Sequence, residues 1–126
     1  MSSQKQILVL VIEHNPILLE GIALQIRAEA DMRVVATASS AKIGIDLYTK
    51  TRPDFTLIDL DLPQSAGLDA IRRIRASDSA ARIIGLAMYE LDRSGLDALA
   101  AGATAILAKD QIAEALVNLI RTSFSA

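Results

Sequence analysis

The chain has 126 residues, a formal charge of −2, 52% hydrophobic residues and neither cysteine nor tryptophan. That length holds one domain with a single core, and the missing cysteines exclude disulfides, thiolate metal sites and a cysteine nucleophile. A slightly acidic, aromatic-poor chain lacks the basic footprint and stacking platform of a nucleic-acid-binding surface, and no apolar run approaches the ~20 residues of a membrane helix.

Residues Met1 to Gln6 run straight into an apolar segment without the features of a secretory leader, so a cytoplasmic protein is expected. Ile7–Ile12 (ILVLVI) is a continuous β-rich run, as in a strand buried on both faces. Asn15 supplies an N-cap and Pro16 a first-turn proline for a helix carrying Leu19, Ile22, Ala23 and Ile26. Arg33–Ala38 reads as the second strand, followed by a helix that Ser39 or Ser40 caps and that carries Ile43 and Leu47. Arg52-Pro53-Asp54 breaks that helix before a third strand, Phe55–Leu60.

Pro63 to Gly67 is read as a loop and Leu68 to about Ala76 as the third helix. Leu68, Ile71 and Ile74 alternate there with Arg72, Arg73 and Arg75, which fall on the solvated side of an amphipathic helix. Arg82–Met88 is the fourth strand. A helix from about Leu91 to Ala101 ends at Gly102, a left-handed C-cap. Thr104–Ala108 is the fifth strand, and Asp110 caps a last helix with Ile112, Leu116, Leu119 and Ile120 along one side. The tail Arg121–Ala126 reads as the start of a linker or as the end of the domain.

The sum is (βα)5 in one domain over residues 1–126: an α/β fold with a doubly wound five-stranded parallel sheet. In such a sheet the carboxyl ends of all strands share one rim, where ligands bind. Glu13 and His14 follow the first strand, Asp59 and Asp61 the third, and Lys109 the fifth, while Ala87 ends the fourth. With the flavodoxin-like strand order 2-1-3-4-5 the crevice lies between strands one and three. Glu13, His14 and Asp59 would converge there, with Lys109 reaching in from the side.

Taken in order, Glu13-His-Asn-Pro16-Ile-Leu-Leu-Glu20-Gly21, Arg52-Pro53-Asp54, Asp59-Leu-Asp61-Leu-Pro63 with Gly67, Met88-Tyr89 and Ala101-Gly102-Ala103 with Lys109-Asp110 resemble a response-regulator receiver domain of two-component signalling. The likeness covers essentially the whole chain and is strongest to receivers that precede LuxR-type DNA-binding domains. It implies a signalling module whose only covalent chemistry is phosphotransfer onto Asp59 from a histidine kinase or phosphotransfer protein, forming an acyl phosphate. By matching position, Lys109 would contact the phosphoryl group. Glu13, Asp59 and the backbone carbonyl of Asp61 would hold Mg²⁺. A homodimer is a further expectation, and DNA would be contacted only through an output domain outside this chain.

Three positions depart from the family pattern. His14 stands where the family has an aspartate, which weakens a site for Mg²⁺ and suits a softer ion such as Mn²⁺ or Zn²⁺. When protonated, the imidazole could instead pair with Asp59 and imitate the charge of the metal. Ala87 replaces the Thr or Ser that would hydrogen-bond the phosphoryl group. Ile106 replaces the aromatic switch residue, with Tyr89 the nearest substitute. The expectation is an atypical receiver with weakened phosphorylation and switching.

Two other functions compete. One is a constitutive module that dimerises or docks through its fourth and fifth helices without a covalent signal. The other is a phosphatase, because Asp59-Leu-Asp61 also resembles the D-x-D of haloacid-dehalogenase-type enzymes. That family places its motif after the first strand, whereas here it follows the third, and Pro63 occupies the expected Thr or Val position. Binding of FMN lacks a Ser/Thr/Gly-rich phosphate loop after the first strand.

Overall fold

A computed structural model describes residues 5–89 and 93–125. Five parallel strands, β1 (Ile7–Ile12), β2 (Met32–Ala38), β3 (Phe55–Asp59), β4 (Ile83–Ala87) and β5 (Ala105–Ala108), form one sheet ordered β2-β1-β3-β4-β5. The connecting helices are α1 (Pro16–Arg27), α2 (Ala41–Thr51), α3 (Ala66–Ser77), α4 (Arg93–Ala101) and α5 (Ile112–Ser125). The expected alternation and strand order are those observed. Leu91, the expected start of the fourth helix, lies outside the described residues. Among the described residues, no helix is long and apolar enough to cross a membrane.

The period-two alternation of side chains divides each strand between two helical layers. Val9 and Val11 of β1, Phe55 and Leu57 of β3 and Ile84 and Leu86 of β4 pack with Ile22 and Ile26 of α1 and Leu116 and Ile120 of α5. Leu10 and Ile12, Ile58 and Ile83 face the other way, toward Tyr48 of α2, Ile71 and Ile74 of α3 and Ala98 of α4. Both faces are covered, which explains why the strands read as unbroken apolar runs.

Asn15 caps α1 by accepting from the amides of Ile17 (3.0 Å) and Leu18 (3.3 Å), and Pro16 opens the helix. Ser40, not Ser39, caps α2, accepting from the amide of Ile43 at 3.3 Å. That phase puts Gly44 and Tyr48 against the core and leaves Ile43 exposed, a correction to the expected apolar stripe. Gly44 fixes the phase, because a Cβ there would overlap the side chain of Ile12.

The expected loop Pro63 to Gly67 is shorter than its sequence suggests. Pro63–Ser65 makes a 3-10 turn with Gln64 and Ser65 both in the left-handed region (φ 58° each), and α3 then starts at Ala66. Gly67 therefore sits in the first turn of α3, where its backbone passes directly over Asp59. A Cβ at Gly67 would overlap the carbonyl oxygen of Asp59, which is backbone and has little room to yield. Gly67→Ala is expected to lower stability by about 1–3 kcal/mol, read as a drop in the urea midpoint. An unchanged midpoint would show that the α3 terminus moves away freely.

Two further expectations need correcting. Arg72 and Arg73 are exposed, but Arg75 is half-buried. Its guanidinium donates to the Gly102 carbonyl through Nε (3.1 Å) and Nη2 (2.7 Å) and to the Ser79 carbonyl through Nη1 (2.9 Å). Gly102 ends α4 with φ of 120°, and the arginine fork takes the carbonyl of this turn. Asp110 lies inside a 3-10 turn, Lys109–Gln111, rather than at the cap of the last helix.

Candidate functional site

Parallel pairing aligns the strand ends. Ile12 of β1 stands beside Ile58 of β3, Asp59 beside Leu86 of β4, and Ala87 beside Ala108 of β5. The residues that leave β1, β3 and β5 thus meet on one rim. Glu13 and Asp59 have fully buried side chains, whereas those of Lys109, Asp61 and His14 are 14%, 31% and 47% exposed.

Asp59 is held from two sides. Its Oδ1 accepts from Lys109 Nζ (2.8 Å) and from the amide of Asp61 (2.8 Å). Its Oδ2 is in very close contact with His14 Nδ1 and lies 3.5 Å from the His14 amide. Lys109 Nζ also lies 3.2 Å from Asp61 Oδ2 and 3.5 Å from Glu13 Oε1. Glu13 Oε2 accepts from the amide of Asn15 at 3.0 Å. Its Oε1, fully buried, makes no hydrogen bond among the described residues.

These neighbours set opposite protonation tendencies for two adjacent acids. Burial favours a neutral Asp59, but the Lys109 ammonium, the Asp61 amide and His14 outweigh it and hold the carboxyl below its ordinary value. For Glu13, burial dominates, is only partly offset by the Asn15 amide, and is reinforced by Asp59, so its carboxyl is raised. Burial would lower Lys109, but Asp59 and Glu13 together keep its ammonium above the ordinary value. The rim therefore combines an anionic carboxylate at Asp59, a fixed cation, and a second acid that resists ionising without a further cation.

Glu13, His14 and Asp59 each offer one ligand atom, and these atoms lie within 4.8 Å of one another. Two carboxylates, one with an orphaned oxygen, fit a divalent cation. The imidazole makes the set a poorer match to Mg²⁺, which takes oxygen ligands, than to ions that accept nitrogen.

The remaining predicted positions lie around this cluster. Ala87 is buried at the end of β4 and presents only a methyl group. Ile106 is half-buried between β4 and α4. A Cβ on Gly85 would come within 3.0 Å of its Cδ1, and one on Gly95 within 3.2 Å of its Cγ2. Tyr89 is 71% exposed. Sequence reasoning missed the side-chain carboxylate of Asp61 on Lys109, having assigned only its backbone carbonyl, and missed the approach of Gly67 to Asp59. The glycine four residues after Pro63 was the available signal for the second.

A family model described as "Response regulator receiver domain" matches residues 9–121. The nitrate/nitrite response regulator protein NarL of Escherichia coli is 31% identical over 120 residues, 95% of this chain and 56% of NarL. The transcriptional regulatory protein MctR of Rhizobium johnstonii is 27% identical over 122 residues, 97% of this chain and 57% of that protein. The chain thus spans little more than half the length of these curated relatives. Among solved structures, a LuxR-family two-component response regulator from an Aurantimonas species superposes with a TM-score of 0.88 at 32% identity, covering 96% of this chain and 86% of that one. The response regulator domain of Thermotoga maritima CheB shares the fold at 22% identity, with a TM-score of 0.86 and coverage of 97% and 98%.

Proposed function

The chain belongs to the response regulator receiver family, and on that premise we propose that Asp59 is its phosphoacceptor, working from a site whose cation chemistry His14 has altered. The observation that carries this is the double hold on Asp59: Lys109 on Oδ1 and His14 on Oδ2. Oδ1 is held by Lys109 and the Asp61 amide and Oδ2 by His14, so the carboxylate attacks phosphorus once one of these contacts opens. Its lone pair forms the new O–P bond while the bond from phosphorus to the donor's nitrogen breaks. Lys109 then neutralises the phosphoryl oxygens from the position it already occupies. Glu13, His14 and Asp59, with the backbone carbonyl of Asp61, are the groups that would hold a divalent cation. Bound there, the cation offsets the negative charge of donor and acceptor. Mg²⁺ is the family's ion and would bind weakly here, with Mn²⁺ the better match.

Ala87 cannot donate a hydrogen bond to the phosphoryl group, and Ile106 is packed between Gly85 and Gly95 without an aromatic ring to reorient. Phosphorylation should therefore produce a smaller conformational response than a Thr–aromatic pair would. The donor would be a cytoplasmic histidine kinase or phosphotransfer protein. In a longer regulator the signal would reach DNA through an output domain, or a second copy through dimerisation.

The close His14–Asp59 contact also favours a second reading, a docking module with its acceptor permanently occupied. Exposed Leu96 and Leu99 on α4 give such a module an apolar face. Incubation with phosphoramidate or acetyl phosphate, followed by peptide mapping, separates the two. The receiver reading expects a hydroxylamine-labile phosphoryl group on the peptide containing Asp59. A chain that stays unlabelled under excess donor is the docking module.

A further inference from the structure

We infer that the rim of this receiver is a nitrogen-ligated cation site, selective for a first-row transition ion over Mg²⁺, with the imidazole of His14 as a direct ligand. The inference deepens the proposed phosphoacceptor site and rests on that reading for its function. Its binding claim can be tested alone.

Two independent observations support it. The first is the donor set. Glu13, His14 and Asp59 bring two carboxylate oxygens and one imidazole nitrogen together, all within 4.8 Å of one another. Bonds of roughly 2.1 Å place neighbouring ligand atoms about 3–3.4 Å apart around an octahedral or tetrahedral ion. His14 Nδ1 is 3.5 Å from Glu13 Oε2 and closer still to Asp59 Oδ2. A slight opening of the His14–Asp59 contact therefore admits an ion. The His14 side chain, 47% exposed, has the freedom to open, and solvent on that side can complete the coordination shell.

The second observation is Glu13. Its Oε1 is fully buried and makes no hydrogen bond among the described residues, its ion pair with Lys109 Nζ being long, at 3.5 Å. Lys109 Nζ sits closer to Asp59 (2.8 Å) and Asp61 (3.2 Å) than to this oxygen, so the buried acceptor stays under-satisfied, at a cost, and a cation between Glu13 and Asp59 would add the contact it lacks. A proton on Glu13 is the other way to remove that cost, so ion and proton compete for this oxygen.

The selectivity follows from ligand chemistry. Mg²⁺ demands oxygen ligands and sheds water reluctantly, so replacing a carboxylate with an imidazole removes both charge and hardness. Imidazole suits transition ions, whose affinities rise from Mn²⁺ through the series. Mn²⁺ is the weakest of them, so a preference for Mn²⁺ over Mg²⁺ is a stringent test.

The measurement is titration of the untagged chain with Mn²⁺ alone, followed by electron paramagnetic resonance and by competition with Mg²⁺, without any phosphodonor. The chain contains one histidine, so an imidazole-nitrogen hyperfine coupling can arise only from His14. Wild type should show that coupling and favour Mn²⁺ by at least about tenfold. His14→Asp should lose the coupling and bind Mg²⁺ about tenfold more tightly, narrowing the preference. Absence of nitrogen coupling in wild type, no Mn²⁺ binding, or an identical Mn²⁺ to Mg²⁺ ratio in His14→Asp would each overturn the inference. Labelling of Asp59 without nitrogen coupling would sink the inference and leave the phosphoacceptor standing. Nitrogen-coupled binding without labelling would do the reverse.

Discussion

Asp59→Asn is expected to abolish labelling by small phosphodonors while the chain remains folded. The amide is nearly isosteric with the carboxylate, so the fully buried side chain still fills its place at the end of β3. Its carbonyl oxygen can still accept from the Asp61 amide and Lys109, which now hold Oδ1 at 2.8 Å each. What disappears is the anionic oxygen proposed to attack phosphorus. The substitution also removes one of two adjacent buried acids, so Glu13 loses the neighbour that raises its carboxyl. Lys109 keeps Asp61 at 3.2 Å and Glu13 at 3.5 Å as counter-charges. Loss of labelling with unchanged circular dichroism is the expected result. Equal labelling of the variant, on Asp61 or elsewhere, would move the chemistry away from Asp59 and refute the assignment.

The fold was legible because its signals are local and periodic. ILVLVI and the run from Phe55 to Asp59 are buried on both faces and look it, and Asn15-Pro16 marks the start of α1 in sequence and in structure. The rim followed from topology, since parallel strands have only one carboxyl-terminal edge to share. What the sequence concealed depends on contacts between distant segments. The core-facing stripe of α2 includes a glycine, and a hydropathy pattern cannot see a residue that is buried for lack of a side chain. Arg75 has the spacing of a surface arginine, and its partner is a carbonyl 27 positions away at the turn of Gly102. Asp61 could be placed on the rim by its position after β3. Only the path of Lys109 shows that its carboxylate helps hold that lysine.

Lys109→Met is expected to destabilise the chain by about 2–3 kcal/mol near neutral pH, and by progressively less as pH falls below about 4. Methionine preserves most of the apolar stem but removes the ammonium. Two buried carboxylates then face each other with only the Asp61 and Asn15 amides and the half-exposed His14 as partners. Stripping the partner from a buried ion pair costs about 3–5 kcal/mol when the remaining charge is fully enclosed. Solvent reaches this rim past His14, so screening brings the expected value to the lower end.

The pH dependence has a definite sign. Lys109 is among the groups that hold the Asp59 carboxyl below its ordinary value. The stability gained from that depression is present above the carboxyl's unfolded value and is lost as pH falls through its folded one. Without Lys109 much of that gain is missing from the start, so acidification removes less from the variant than from wild type. The two urea midpoints should converge as pH is lowered, and Lys109→Arg, which keeps a cation, should fall between wild type and Lys109→Met near neutral pH. A Lys109→Met deficit that stays the same well below pH ~4 would mean that the lysine stem stabilises the rim by packing. The charge cluster of Glu13, Asp59 and Asp61 would then have no thermodynamic claim on its ammonium.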